Sequence, residues 1–175
     1  MDPLVPTHLR IDDATVAAAD DIGPLIDPVW WTANFYETPE VMEASLAGFT
    51  APQRRAWAMV WYLSEVFNGG HDQFYSNSTG AVWAEALAGF DDASLPQIAA
   101  ILGESAARMG GAPSLDRDAR NAFMDQAEPD FSDLDDALYA LLDEIGVNGR
   151  ILDYAKERPQ AFRFDGVVMA PPPQV

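Results

Sequence analysis

The chain has 175 residues, of which 49% are hydrophobic, with no cysteine and a formal net charge of -18 at pH 7. This composition predicts one domain with a sizeable core, and it excludes disulfides, thiolate nucleophiles and cysteine-based metal sites. The 28 acidic residues against 10 basic ones argue against direct nucleic-acid binding and favour a basic partner.

Helical periodicity dominates the chain, and alternating β-branched runs are scarce. The first predicted helix covers about 14–21, and an aromatic connector with Trp30 and Trp31 follows it. Thr38 is the predicted N-cap of a helix that ends near Leu46. Residues 1–49 are thus expected to form an N-terminal helical extension that packs on the core.

Thr50 and Gln53 have the spacing of a capping box at the start of the next helix. That helix is apolar nearly all round, so we expect it at the centre of the fold. The Gly69-Gly70 pair is expected to end it, because glycine adopts the left-handed C-cap conformation at low cost. Asp72 is the predicted cap of a short helical turn after this break.

Further helices are predicted over about 80–88, 96–109, 114–127, 132–145 and 150–157, and three of them have serine N-caps at Ser94, Ser114 and Ser132. The 114–127 helix is expected to bury Leu115, Ala119, Ala122, Phe123 and Ala127. We therefore predict an all-α fold, a compact multi-helix single domain of residues 50–164 around a central apolar helix. Residues 165–175 are predicted to be a Pro-rich tail.

No apolar run approaches the roughly 20 residues of a membrane-spanning helix. Residues 1–6 also lack the basic and apolar regions of a signal peptide. These observations predict a cytoplasmic protein.

Residues 64–80 concentrate glycine, amide and aromatic side chains in one short run. In a structural interpretation the Gly-Gly pair reverses the backbone and Phe74 returns to the core. In a catalytic interpretation His71 is a base, Asp72 orients it and Asn77 donates a hydrogen bond, but no obvious nucleophile accompanies them. With only two histidines and no EF-hand spacing, we predict no catalytic residues, no metal site and no cofactor.

This run resembles the core motif of the bacterial DNA-mimic protein family, Glu-Val-x-Asn-Gly-Gly-Phe-x-Gln-Phe/Tyr-x-x-Asn-x-x-Gly. The matching positions are Glu65, Val66, Asn68, Gly69, Gly70, Gln73, Phe74, Asn77 and Gly80. Asp116, Arg117 and Arg120 are similar to a later segment of the family, and the resemblance extends over about 50–164. His71 stands where the family usually has an aromatic residue.

The resemblance implies an acidic protein that presents carboxylates where a DNA duplex presents phosphates. Such a protein occupies the DNA-binding surface of a transcription factor or another basic DNA-binding protein, and so regulates transcription. The motif residues themselves are then a structural scaffold. An exposed apolar contact from the Trp30-Trp31 region would add specificity or form a homodimer.

Acidic side chains three or four residues apart on a helix have Cβ atoms about 5–6 Å apart, close to the spacing of backbone phosphates. The candidate partner-binding acids are Asp118, Asp125, Glu128, Asp130, Asp133, Asp136, Asp143 and Glu144. Acids in the first turn of a helix also stabilise it through the helix dipole, which accounts equally well for Asp133 and Asp136.

Three other functions remain open on the sequence alone. An enzyme or small-ligand-binding protein would use a pocket near His71. An immunity protein would neutralise a basic toxin through the same acids. A domain adapted to salt would spread its acids evenly over the surface.

Overall fold

The computed structural model describes residues 3–172, with every side chain in that range except that of Asp143. Strand β1 (Val5–Ile11) opens this part of the chain and strand β2 (Phe164–Ala170) closes it. The α-helices between them are α1 (Asp13–Ala18), α2 (Gly23–Trp30), α3 (Pro39–Leu46), α4 (Ala51–Ser76), α5 (Trp83–Asp92), α6 (Pro96–Arg108), α7 (Arg117–Ala127), α8 (Ser132–Ile145) and α9 (Val147–Lys156). Two 3₁₀ helices lie at Ser78–Val82 and Pro159–Phe162. The predicted all-α class is confirmed.

The two strands form a small antiparallel sheet that the sequence did not predict. Val5 pairs with Ala170 and Ile11 with Phe164, so the sheet joins the two ends of the described chain. Each strand is short and its partner lies at the far end of the sequence, so no local pattern marks the pair. Most of β2 falls in the segment predicted as a Pro-rich tail, and residues 173–175 of that tail lie outside the described residues.

Helix α4 lies at the centre of the fold, as its apolar sequence predicts. Trp57, Met59, Tyr62 and Val66 are completely buried. Helices α2, α5, α7, α8 and α9 all pack against α4. The predicted 1–49 extension shares this core through buried side chains of α2 and α3, and Trp30 of α2 stacks on Trp61 at 4.4 Å between ring centroids.

The predicted capping box of α4 is present, but the three predicted serine caps are wrong. Thr50 accepts a hydrogen bond from the Gln53 backbone N–H, and the Gln53 side chain accepts one from the Thr50 backbone N–H. Helices α6, α7 and α8 instead begin after Leu95, Asp116 and Phe131. Asp116 Oδ1 accepts from the Ala119 N–H at 2.8 Å, a charge-assisted hydrogen bond that caps α7.

The predicted buried stripe of α7 is also wrong. Ala119, Ala122 and Ala127 are exposed, and Leu115 is 40% exposed. The fully buried residue of α7 is Arg120, with Phe123 half-buried beside it. Helix α7 is therefore rotated about its axis relative to the prediction. The reason is Arg120, which hydrogen-bonds inward to backbone carbonyls instead of pointing to solvent.

Within residues 3–172, no helix is both long enough and apolar enough to cross a membrane.

Candidate functional site

The motif residues of the kinked end of α4 converge on the buried carboxylate of Glu65. This carboxylate accepts hydrogen bonds from Gln73 Nε2 at 2.7 Å, Asn77 Nδ2 at 2.9 Å and Thr79 Oγ1 at 2.8 Å. Asn68 adds a bond from its Nδ2 to Gln73 Oε1 at 3.0 Å. A carboxylate with three donors is well compensated for its burial, so the cluster ties the end of α4 to the 3₁₀ helix that follows.

Gly69 and Gly70 kink α4 rather than end it. Gly70 has φ 71° and ψ -176°, a conformation that favours glycine. A Cβ atom built on Gly70 would lie 2.4 Å from Asp135 Oδ2. The kink thus brings the backbone close against an acid of α8.

Asp135, and not Asp72, caps the segment after the kink. Its Oδ1 accepts from the His71 backbone N–H at 3.0 Å, whereas the predicted cap Asp72 is exposed. No local sequence pattern marks this contact, because Asp135 is one of five acids in α8 and nothing near it in sequence distinguishes it.

The imidazole of His71 is completely buried, with both ring nitrogens bound by side chains. Nδ1 lies 2.5 Å from Asp135 Oδ1, and Nε2 lies 2.8 Å from the Tyr62 hydroxyl. Burial lowers the pKa of His71 even though Asp135 works in the opposite direction. In the neutral form, Nδ1–H donates to Asp135 and Tyr62 donates to Nε2.

We expect the protein to lose stability as the pH falls from about 7.5 to 5.5, around the ordinary histidine pKa of about 6.5. The folded-state pKa of His71 is below the unfolded-state value, so the unfolded chain takes up the proton first and gains stability relative to the fold. Urea midpoints across this range measure the effect, with His71→Gln and the surface variant His8→Gln as the comparison. A slope unchanged by His71→Gln would contradict the assignment.

Arg120 holds α7 against the same end of α4. The residue is 1% exposed, and its guanidinium donates to the backbone carbonyls of Tyr75, Asn77, Ser78, Ser114 and Leu115 at 2.7–3.4 Å. Burial lowers the pKa of Arg120 to about 10, so the group stays charged at neutral pH. A Cβ atom on the motif residue Gly80 would lie 2.8 Å from Arg120 Nε, so glycine is needed to admit the guanidinium.

Seven of the eight predicted partner-binding acids have described side chains, and these seven lie at the surface. The described members, all exposed, are Asp118, Asp125, Glu128, Asp130, Asp133, Asp136 and Glu144. The side chain of Asp143 in α8 is outside the described part of the structure.

Two of these acids have structural partners. Asp130 Oδ1 accepts from the Ser132 backbone N–H at 2.9 Å, and Asp133 pairs with Arg108 at 2.5 Å. These contacts lower the pKa of both carboxyls.

The remaining five have no side-chain hydrogen bond or ion pair to the described residues. We use the name acidic face for this set of exposed acids, which is distributed over α7 and α8: Asp118, Asp125, Glu128, Asp136 and Glu144. Asp118 and Asp125 are seven residues apart, so they lie on one side of α7 and about 10 Å apart along its axis. Helices α7 and α8 both pack on α4, which holds the two rows of acids on one scaffold.

Among the side chains that the structure describes, no three histidine or carboxylate groups are close enough to hold a metal ion. The cluster around Glu65 offers one carboxylate among neutral donors. These groups hydrogen-bond to one another, so the cluster supports the fold and does not act as a metal site.

Comparison with known protein families gives a match to the family described as DMP19-like protein over residues 47–158, more than half of the chain. No curated protein and no solved structure matches the chain. The matched range contains α4 to α9, including the Glu65 cluster, Arg120 and the acidic face, and it leaves out both strands.

Proposed function

The chain belongs to the DMP19-like protein family, and from this membership and the acidic face we propose that it is a DNA mimic. In this role it binds the DNA-binding surface of a transcription factor or another basic DNA-binding protein. DNA and the mimic then compete for the same basic groove. The role is non-enzymatic and uses no cofactor.

The observation that carries the proposal is the set of exposed carboxylates on α7 and α8 that form no ion pair with the described residues. Arg117 and Arg120, the two cations of α7, donate instead to backbone carbonyls at the end of α4. The helix therefore turns its carboxylates outward while its guanidinium groups bind the scaffold. A net charge of -18 adds long-range attraction to a basic protein and speeds their encounter.

The surroundings of His71 give less support to an enzyme or small-ligand function. Both ring nitrogens are engaged and the ring is inaccessible to solvent. An immunity protein that neutralises a basic toxin would use the same acids, so only the identity of the partner separates it from a regulator of transcription. Formation of a homodimer is a separate property of the protein, and sedimentation measures it.

The test is capture of basic proteins from the source lysate on immobilised protein at low salt, followed by elution with duplex DNA. We expect DNA to release a DNA-binding protein, because both ligands compete for one groove. Binding should also weaken steeply with salt, because paired surface charges are screened. Retention that DNA does not reverse would contradict mimicry.

A matched pair of variants separates the acidic face from bulk charge. Asp125→Asn/Glu128→Gln/Asp136→Asn removes three charges from the face. Asp20→Asn/Asp91→Asn/Asp153→Asn removes three exposed charges from other parts of the chain. We expect only the first variant to lose the captured protein, and equal losses would assign binding to net charge alone.

Glu128 is expected to show a conflict between stability and binding. It caps the C-terminus of α7 with φ 45°, a left-handed conformation that costs a non-glycine residue about 1 kcal/mol. Glu128→Gly should therefore raise the free energy of unfolding by about 0.5–1 kcal/mol while weakening partner binding. Urea unfolding and capture measure the two effects, and Glu128→Gln, which keeps the strain but loses the charge, should weaken binding only.

A further inference from the structure

Tyr36 is the most exposed large apolar side chain among the described residues, at 75%. Its loop is nevertheless held in place, because Asn34 Oδ1 accepts from the Tyr36 backbone N–H at 3.2 Å and Asn34 Nδ2 donates to Glu37 at 2.8 Å. The ring also packs on Phe35, with 4.5 Å between centroids. An aromatic ring that is exposed but fixed binds a partner with little loss of conformational entropy.

Tyr36 borders a cleft of about 200 Å³ between its own loop and the start of α7. The residues that line it include the acids Glu37, Asp116 and Asp118 and one cation, Arg117. Arg117 Nε donates to the Ser76 carbonyl at 2.8 Å, which draws that cation toward the scaffold. Three carboxylates against one guanidinium leave the cleft negative beside an aromatic ring.

The cleft adjoins the acidic face, because Asp118 belongs to both. It also lies partly outside the family match, since Phe35, Tyr36 and Glu37 precede residue 47. The loop before α3 therefore adds an aromatic contact to the acids that α7 supplies.

We propose that this cleft binds an arginine side chain of the basic partner, with the guanidinium stacked on Tyr36 and facing Glu37 and Asp118. This inference rests on the proposed function and names one contact of that interface. A planar, weakly hydrated guanidinium stacks on aromatic rings and hydrogen-bonds carboxylates in the same plane, which a lysine ammonium does less well. DNA-binding proteins carry such arginines on the surface that meets phosphates.

The test uses two defined probes at low salt, an acetylated octapeptide amide of alternating arginine and glycine and its lysine counterpart. Calorimetry gives the affinities for wild type, Tyr36→Ala and Tyr36→Phe. Phe67→Ala is the matched control, because Phe67 is a second aromatic residue, 64% exposed, on α4. The Asp125→Asn/Glu128→Gln/Asp136→Asn variant reports on the acidic face outside the cleft.

We expect Tyr36→Ala to bind the arginine peptide about two- to fivefold more weakly, with Tyr36→Phe and Phe67→Ala close to wild type and a smaller effect on the lysine peptide. If Tyr36→Ala binds the arginine peptide as tightly as Phe67→Ala does while the acidic-face variant loses affinity, the result contradicts the cleft proposal but not the proposed function. If no variant loses affinity, or neither peptide binds, both fall.

Discussion

Replacing Arg120 with methionine is expected to destabilise the protein by about 3–5 kcal/mol, a large part of the stability of a typical domain. Methionine fills a similar volume but donates no hydrogen bond. The carbonyls that Arg120 binds at the end of α4 and before α7 would lose a charged donor, and each unpaired buried acceptor costs about 1 kcal/mol or more. Urea unfolding followed by tryptophan fluorescence measures the loss.

Arg117→Met is the matched control on the same helix. Arg117 is exposed and its Nε makes one bond to the Ser76 carbonyl, so we expect a loss below about 1 kcal/mol. Arg120→Lys should remain strongly destabilised, because one ammonium cannot reach carbonyls arranged for a planar fork. A midpoint for Arg120→Met close to that of Arg117→Met would show that the buried contacts contribute little.

Replacing Gly70 with alanine is expected to cost about 3 kcal/mol or more. The backbone conformation at Gly70 strains any other residue, and the new Cβ would lie 2.4 Å from Asp135 Oδ2. Asp135 would have to move, and its bonds to the His71 backbone N–H and ring would be lost with it. Urea midpoints compare the variant with wild type.

Gly103→Ala is the matched substitution in the middle of α6, where a Cβ atom meets nothing within 4 Å. It should be neutral or stabilise by up to about 1 kcal/mol, because alanine favours helix. In the Gly70→Ala background, Asp135→Ala should cost less than it does in wild type, since the clash has already displaced the acid. Strict additivity of the two changes would show that Gly70 and Asp135 act independently.

These two positions connect the scaffold to the proposed function. Arg120 fixes α7 to the kinked end of α4, and Asp135 fixes α8 to the same place. Each acid-bearing helix is therefore tied to this end of α4 by a polar contact that helps to set its orientation. A variant that stays folded but weakens either contact should also lose partner affinity, because the acids no longer share one rigid support.

Local patterns in the sequence predicted the helical fold, the central position of α4 and the capping box at Thr50. They also located the irregularity at Gly69-Gly70, although the pair kinks α4 and does not end it as predicted. Each of these depends on neighbours within a few residues, through hydrophobic periodicity, glycine conformation or a side chain that reaches the next turn. The predicted acids whose side chains the structure describes are exposed for the same reason, since charged side chains on the polar side of a helix stay in water.

The β1–β2 pair, the inward rotation of Arg120 and the contact of Asp135 with His71 were decided by the tertiary structure. All three join residues that are far apart in sequence, and no local spacing in the sequence predicts such a partner. The sequence by itself determined which segments are helical and that the surface is strongly acidic. Only the packing of the helices decided that Asp133 and Asp135 serve the scaffold, because their partners, Arg108 and His71, lie on other helices and far away in sequence.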